Sequence, residues 1–112
     1  MILEITSKQR AFLRSLCNTM PVVLYVGRNG VTPAVQKEAW DALDARELIK
    51  CAVQRDCELT AREACQELCE KVHAAPVQCI GNKFSIYREA REKDRRKIDL
   101  VNLRSGRSDD AE

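Results

Sequence analysis

Gly27-Arg28-Asn29-Gly30 sets two glycines around a cation and an amide, a combination suited to holding a phosphate. Glycine lets another group approach the main chain closely, and an arginine at a loop tip supplies the countercharge. Val31-Thr32-Pro33 follows, where Thr32 suits a helix N-cap and Pro33 the first helical position. Amides at a helix start point outward with partial positive charge, so the segment reads as an anion cradle. The same residues also fit a plain strand-to-helix connection, in which glycine is present because one position needs positive φ. The loop alone leaves both readings open.

Further cations stand where they could extend such a site. Arg10 and Arg14 lie one helical turn apart, beside the apolar stripe of their helix rather than in it. Lys37 falls in the first turns of the helix after the glycine loop, and Arg46, Lys50 and Lys83 occupy helix and strand positions. Taken singly, each is an ordinary solvated side chain. Taken with Arg28 and Asn29, they form a candidate stripe for nucleic-acid phosphates, whose contacts act independently of sequence and weaken with salt. Trp40, the sole tryptophan, is on the flank of a buried helical stripe, where packing is the first expectation and base stacking the second.

The other reactive side chains point away from catalysis. Six cysteines occur, at 17, 51, 57, 65, 69 and 79, with no Cys-x-x-Cys pair. Cys65, Cys69 and His73 stand four apart, a spacing that can grip a metal on a helix. Yet Ala61, Ala64, Cys65, Leu68, Cys69 and Val72 make one continuous apolar stripe, so both thiols are expected in the core. His73 is expected at the surface near a helix C-terminus, where the dipole favours a cation. No nucleophile elbow or Walker motif occurs, and His73, the only histidine, has no evident nucleophile beside it. Neither an enzyme nor a bound cofactor or metal is expected.

Seven elements position these residues. Thr6-Ser7-Lys8-Gln9 reads as a capping box that starts a helix over about Ser7 to Asn18, with Phe12, Leu13, Leu16, Cys17 and Met20 at helical spacing. Pro21–Val26 is an unbroken apolar and β-branched run, predicted to be a buried strand. A second helix runs from about Pro33 to Ala45, burying Val35, Ala39, Ala42 and Leu43. Leu48–Gln54 is a strand with Ile49, Cys51 and Val53 on one face. Thr60-Ala61-Arg62-Glu63 is a second capping box, with Leu59 and Ala64 able to staple it, and its helix extends to about Val72. Pro76–Ile80 and Lys83–Arg88 are strands joined by Gly81-Asn82, a two-residue link of the primed turn types. The order α-β-α-β-α-β-β mixes helix crossovers with a hairpin, so the predicted fold is a single α/β domain whose mixed sheet is packed with helices.

Bulk composition is consistent with one domain. The chain has 112 residues, 45% hydrophobic and 32% charged, with a net charge of +2. That surplus is too small to mark a nucleic-acid binder by itself, so any basic patch must come from placement. No run approaches the roughly 20 apolar residues of a spanning helix, and Met1–Ile5 is too short and wrongly charged for a signal peptide. A cytoplasmic location with reduced thiols and no membrane association is expected. We divide the chain into a domain over residues 1–90 and an extension over 91–112. In the extension, Arg91–Lys97 reads equally as a solvated tail and as an RNA-contacting arm.

In order along the chain, Ile5–Arg10, Pro21–Val23, Val26–Thr32, Ala45–Lys50, Val77–Gly81, Lys83-Phe84 and Tyr87-Arg88 resemble the CRM (chloroplast RNA splicing and ribosome maturation) domain, in its single-domain bacterial, YhbY-like form. The resemblance implies a four-stranded mixed sheet similar to the C-terminal domain of a bacterial translation initiation factor. It also implies a Gly-x-x-G loop, here Gly27–Gly30, like that of KH domains, and association with precursors of the large ribosomal subunit. The expected partner is therefore ribosomal RNA, with ribosomal proteins as further contacts, and the expected state a monomer. The chain differs from the family pattern in Ala52 beyond Lys50, in Trp40 at a usually polar place, and in its many cysteines. The alternative function is a protein–protein adaptor that docks through Trp40 and the apolar Ile98–Leu103 segment.

Overall fold

Each of the three helices among the described residues begins at a threonine whose side chain caps it. In the computed structural model, which describes residues 3–89, the elements are α1 (Ser7–Cys17), β1 (Val22–Val26), α2 (Pro33–Arg46), β2 (Leu48–Val53), α3 (Ala61–Val72), β3 (Ala75–Ile80) and β4 (Lys83–Tyr87). Thr6 accepts from the amide of Gln9 while the Gln9 side chain accepts from the amide of Thr6, and Thr60 and Glu63 repeat the arrangement at α3. Thr32 caps α2 with Pro33 in its first turn. The predicted extension over 91–112, with Ile98–Leu103, lies outside the described residues.

The sheet has the order β1-β2-β4-β3, with β1 and β2 parallel and the other pairs antiparallel. The hairpin turn has φ +62 at Gly81 but no positive φ at Asn82, the pattern of a type II′ rather than a type I′ turn. Asn82 also anchors the turn to β2. Its side-chain amide donates to the Val53 carbonyl at 3.1 Å, and the Val53 amide donates back to the Asn82 carbonyl at 2.8 Å.

Side chains alternate across β2, so the sheet buries two separate cores. Ile49, Cys51 and Val53 face α2 and α3, where Leu24, Val26, Leu43, Leu68 and Phe84 complete the larger core. The whole predicted stripe of α3, including Cys65 and Cys69, is buried there. Leu48 faces the other way, into a smaller core with Leu13 and Cys17 of α1, Val77 and Tyr87. Among the described residues one helix therefore covers the second face of the sheet, and it covers only part of it.

That partial cover corrects two expectations. β1 is not buried on both sides: it is an edge strand, and Tyr25 is 56% exposed. Phe12, placed by its spacing on the stripe of α1, is also exposed, while the polar Gln9 is buried through its role in the cap. Helical spacing alone did not distinguish the face toward the sheet from its flank.

Candidate nucleic-acid interface

The loop after β1 closes on itself. The Gly30 amide donates to the Gly27 carbonyl at 2.9 Å, making a tight turn with Arg28 and Asn29 at its exposed tip, and the Thr32 amide donates to the Gly30 carbonyl at 3.0 Å. Gly30 has φ +73, which a side chain disfavours, whereas Gly27 has no such constraint. A Cβ on Gly27 would meet Oε1 of Gln54 at 2.8 Å, the movable end of an exposed side chain.

This turn alters the expected donor set. Gly30 spends its amide on the turn, Pro33 has none, and the Val35 amide is taken by the Thr32 hydroxyl. Among the described residues the amides of Arg28, Asn29 and Ala34 have no protein acceptor. The anion-binding potential of the segment thus resides at the loop tip more than in the helix end behind it. Arg28 is 80% exposed, and its Nε lies 3.6 Å from an Asp56 carboxylate oxygen. An ion pair so open to water is weak, which leaves the guanidinium available to a phosphate.

The remaining predicted cations fall into distinct places. Arg10 and Arg14 project from α1 into a groove along the outer edge of β3, where Arg62 of α3 joins them. Nε of Arg10 donates to the Pro76 carbonyl at 3.1 Å, so this side chain also ties α1 to β3. Lys50 and Lys83 line a second hollow beyond the end of α1, with Asn18 and Ser85. Gln78 and Ile80 border both hollows, which makes the two basic surfaces contiguous, and among the described residues no carboxylate lines either one. Lys37 pairs with Asp41 at 3.2 Å on the exposed face of α2, close along the chain to the loop. Arg46 ends α2, a helix length of about 20 Å from the loop. The structure brings Arg10, Arg14, Lys50 and Lys83 together and leaves Arg46 apart.

One member of this surface, Arg62, and one exposed aromatic outside both hollows, Tyr25, were not singled out from sequence. Arg62 is the second residue of α3, inside a segment whose capping pattern drew attention from its charge. Tyr25 lies between Leu24 and Val26, both buried, so strict strand alternation places it on the opposite face.

Trp40 is engaged within the fold. The Arg88 guanidinium stacks 4.0 Å above its ring and the His73 ring meets it edge-on at 6.3 Å. Arg88 itself donates to the carbonyls of Trp40 and Val72 and to the Asp44 carboxylate. The aromatic face that the adaptor reading needs is thus in use. His73 is exposed as expected, in left-handed conformation at the cap of α3. Among the thiols, Cys65 and Cys69 share a hydrogen bond that lowers the pKa of Cys65 and raises that of Cys69. Burial pushes the Cys51 thiol up.

Comparison with known proteins gives a consistent result. The model of the CRS1 / YhbY (CRM) domain family matches residues 5–88. A Bacillus subtilis protein named "Probable RNA-binding protein YqeI" is 36% identical over 88 residues, 79% of this chain and 92% of that protein. A Haemophilus influenzae protein named "RNA-binding protein" is 33% identical over 88 residues, 79% of this chain and 89% of its own length. The solution structure of a hypothetical Staphylococcus aureus protein, described as a candidate RNA binder, superposes with a TM-score of 0.67 at 31% identity. That likeness covers 86% of this chain and all of the other.

Proposed function

The chain belongs to the CRS1 / YhbY (CRM) domain family, and on that footing we propose that it is a non-catalytic RNA-binding protein that acts on precursors of the large ribosomal subunit. Relatives named as RNA-binding proteins support the ligand class. The observation that carries the reading is the basic surface: two adjoining hollows that share Gln78 and Ile80 and, among the described residues, bear five cations and no carboxylate in their walls. In this reading the loop tip takes a phosphate against Arg28 and the free amides of Arg28 and Asn29. Arg10, Arg14, Arg62, Lys50 and Lys83 neutralise further phosphates, and Lys37 borders the loop. Such contacts position RNA without reading its sequence.

Titration of the protein against ribosomal RNA fragments at several salt concentrations tests the loop. Arg28→Ala is expected to weaken binding severalfold across unrelated sequences and to flatten the salt slope by nearly one unit. Unchanged affinity and slope would remove Arg28 from the site. Gradient sedimentation of lysate tests the assembly role: the protein is expected with large-subunit precursors, and nuclease treatment is expected to release it. Co-sedimentation that survives RNA digestion would favour the adaptor reading instead.

A further inference from the structure

On the α1 side of the sheet, the part that no described helix covers exposes Tyr25, Lys83 and Ile80. Register places Tyr25, Ala52, Lys83 and Ile80 in one row across all four strands. Lys50, Ser85 and Gln78 form the adjacent row on the same face, two residues along each strand. Tyr25 and Ile80 are 56% and 65% exposed, and they are two of four large hydrophobic side chains left open among the described residues. The smaller core shows why they are open: α1 packs on Leu48, Val77 and Tyr87 and ends at Cys17, with its cap Asn18 at the border of the second row, while the small side chains Ala52 and Ser85 are themselves buried. With strands about 4.8 Å apart, Tyr25 and Lys83 stand roughly 10 Å from each other.

We propose that this uncovered face is a subsite for unpaired RNA, with a base stacked on Tyr25 and the adjoining phosphates held by Lys83 and Lys50. The inference rests on the RNA-binding reading and narrows it to a class of RNA. A base offers its π-face to an aromatic ring only when it is out of a helix, and stacking of this kind tolerates any base. A duplex keeps its bases stacked inside and would present only backbone to the sheet. Charge selects an RNA occupant over an apolar one: no acidic residue stands in either row, and the face runs through Gln78 and Ile80 into the groove of Arg10, Arg14 and Arg62. Four-stranded sheets that present aromatics to splayed bases are a recurrent solution to this problem.

The test uses the full chain, a short unstructured labelled RNA and a blunt RNA duplex of matching length, followed by fluorescence anisotropy. Tyr25→Ala is expected to weaken the single strand about tenfold while duplex affinity stays within twofold, and Tyr25→Phe to retain single-strand binding, because the ring and not the hydroxyl stacks. Thermal melts confirm that the variants fold, since an exposed edge-strand side chain bears little of the core. Equal loss on both probes would make the face a reader of backbone alone and overturn the inference. No loss on either would overturn it as well, while leaving the Arg28 result to stand or fall independently. If the unsubstituted chain binds neither probe, both readings fall. Light scattering that shows self-association abolished by Tyr25→Ala would assign the face to a second copy of the chain and likewise overturn the proposal.

Discussion

At φ +73, Gly30 occupies a backbone region where a Cβ would crowd the following carbonyl, whereas Gly27 is under no such demand. The two glycines can therefore be separated by experiment. Gly30→Ala should cost about 1 kcal/mol, the penalty of left-handed backbone for an L-residue. Gly27→Ala displaces only the end of the Gln54 side chain and should leave the denaturant midpoint nearly unchanged. If RNA approaches the main chain at Gly27, the same methyl group should weaken binding severalfold in a protein of normal stability. Urea melts paired with anisotropy titrations check both. Full binding by Gly27→Ala would show that the close approach occurs elsewhere on the turn.

Among the elements, the junction of β4 with α2 and α3 depends on one side chain. The Arg88 side chain is 9% exposed, bonded to Asp44 at 2.8 Å and to two carbonyls, and stacked on Trp40. Arg88→Ala removes the Asp44 ion pair, the bond to the Val72 carbonyl at the end of α3 and the stacking on Trp40 from a largely buried site, so a loss of about 3 kcal/mol is expected. Arg88→Lys keeps the charge but not the planar fork, and should recover only part of that loss. Guanidinium unfolding followed by the emission of Trp40, the only tryptophan, measures both. Sequence did not single out this junction, because its partners lie 16 to 48 residues away along the chain. What sequence did show was local: the Thr6 and Thr60 capping boxes, Thr32-Pro33 and Gly81-Asn82 each specify a boundary through neighbouring atoms. The placement of α1, alone among the described helices, on one face of the sheet is a tertiary outcome that no such signal encodes, and the exposure of Tyr25 and Phe12 follows from it.

Considered as a whole, the molecule carries a net charge of only +2, yet its cations are unevenly placed. The glycine loop was legible because its chemistry is contained in four consecutive residues. The place of Arg62 beside Arg10 and Arg14 was not, since it depends on α1 and α3 both bordering the edge of β3. This arrangement has a measurable consequence. Counterion release depends on the phosphates neutralised locally, not on net charge, so the salt slope should reflect the basic face. Arg62→Ala, a change in the groove, should reduce the slope on single-stranded RNA by about 0.7. Arg46→Ala removes the same charge from the far end of α2 and should leave slope and affinity almost unaltered. Both variants change net charge equally, so a difference between them isolates placement. Equal effects would mean that the chain attracts RNA through its overall field, and that the contiguous surface has no special standing.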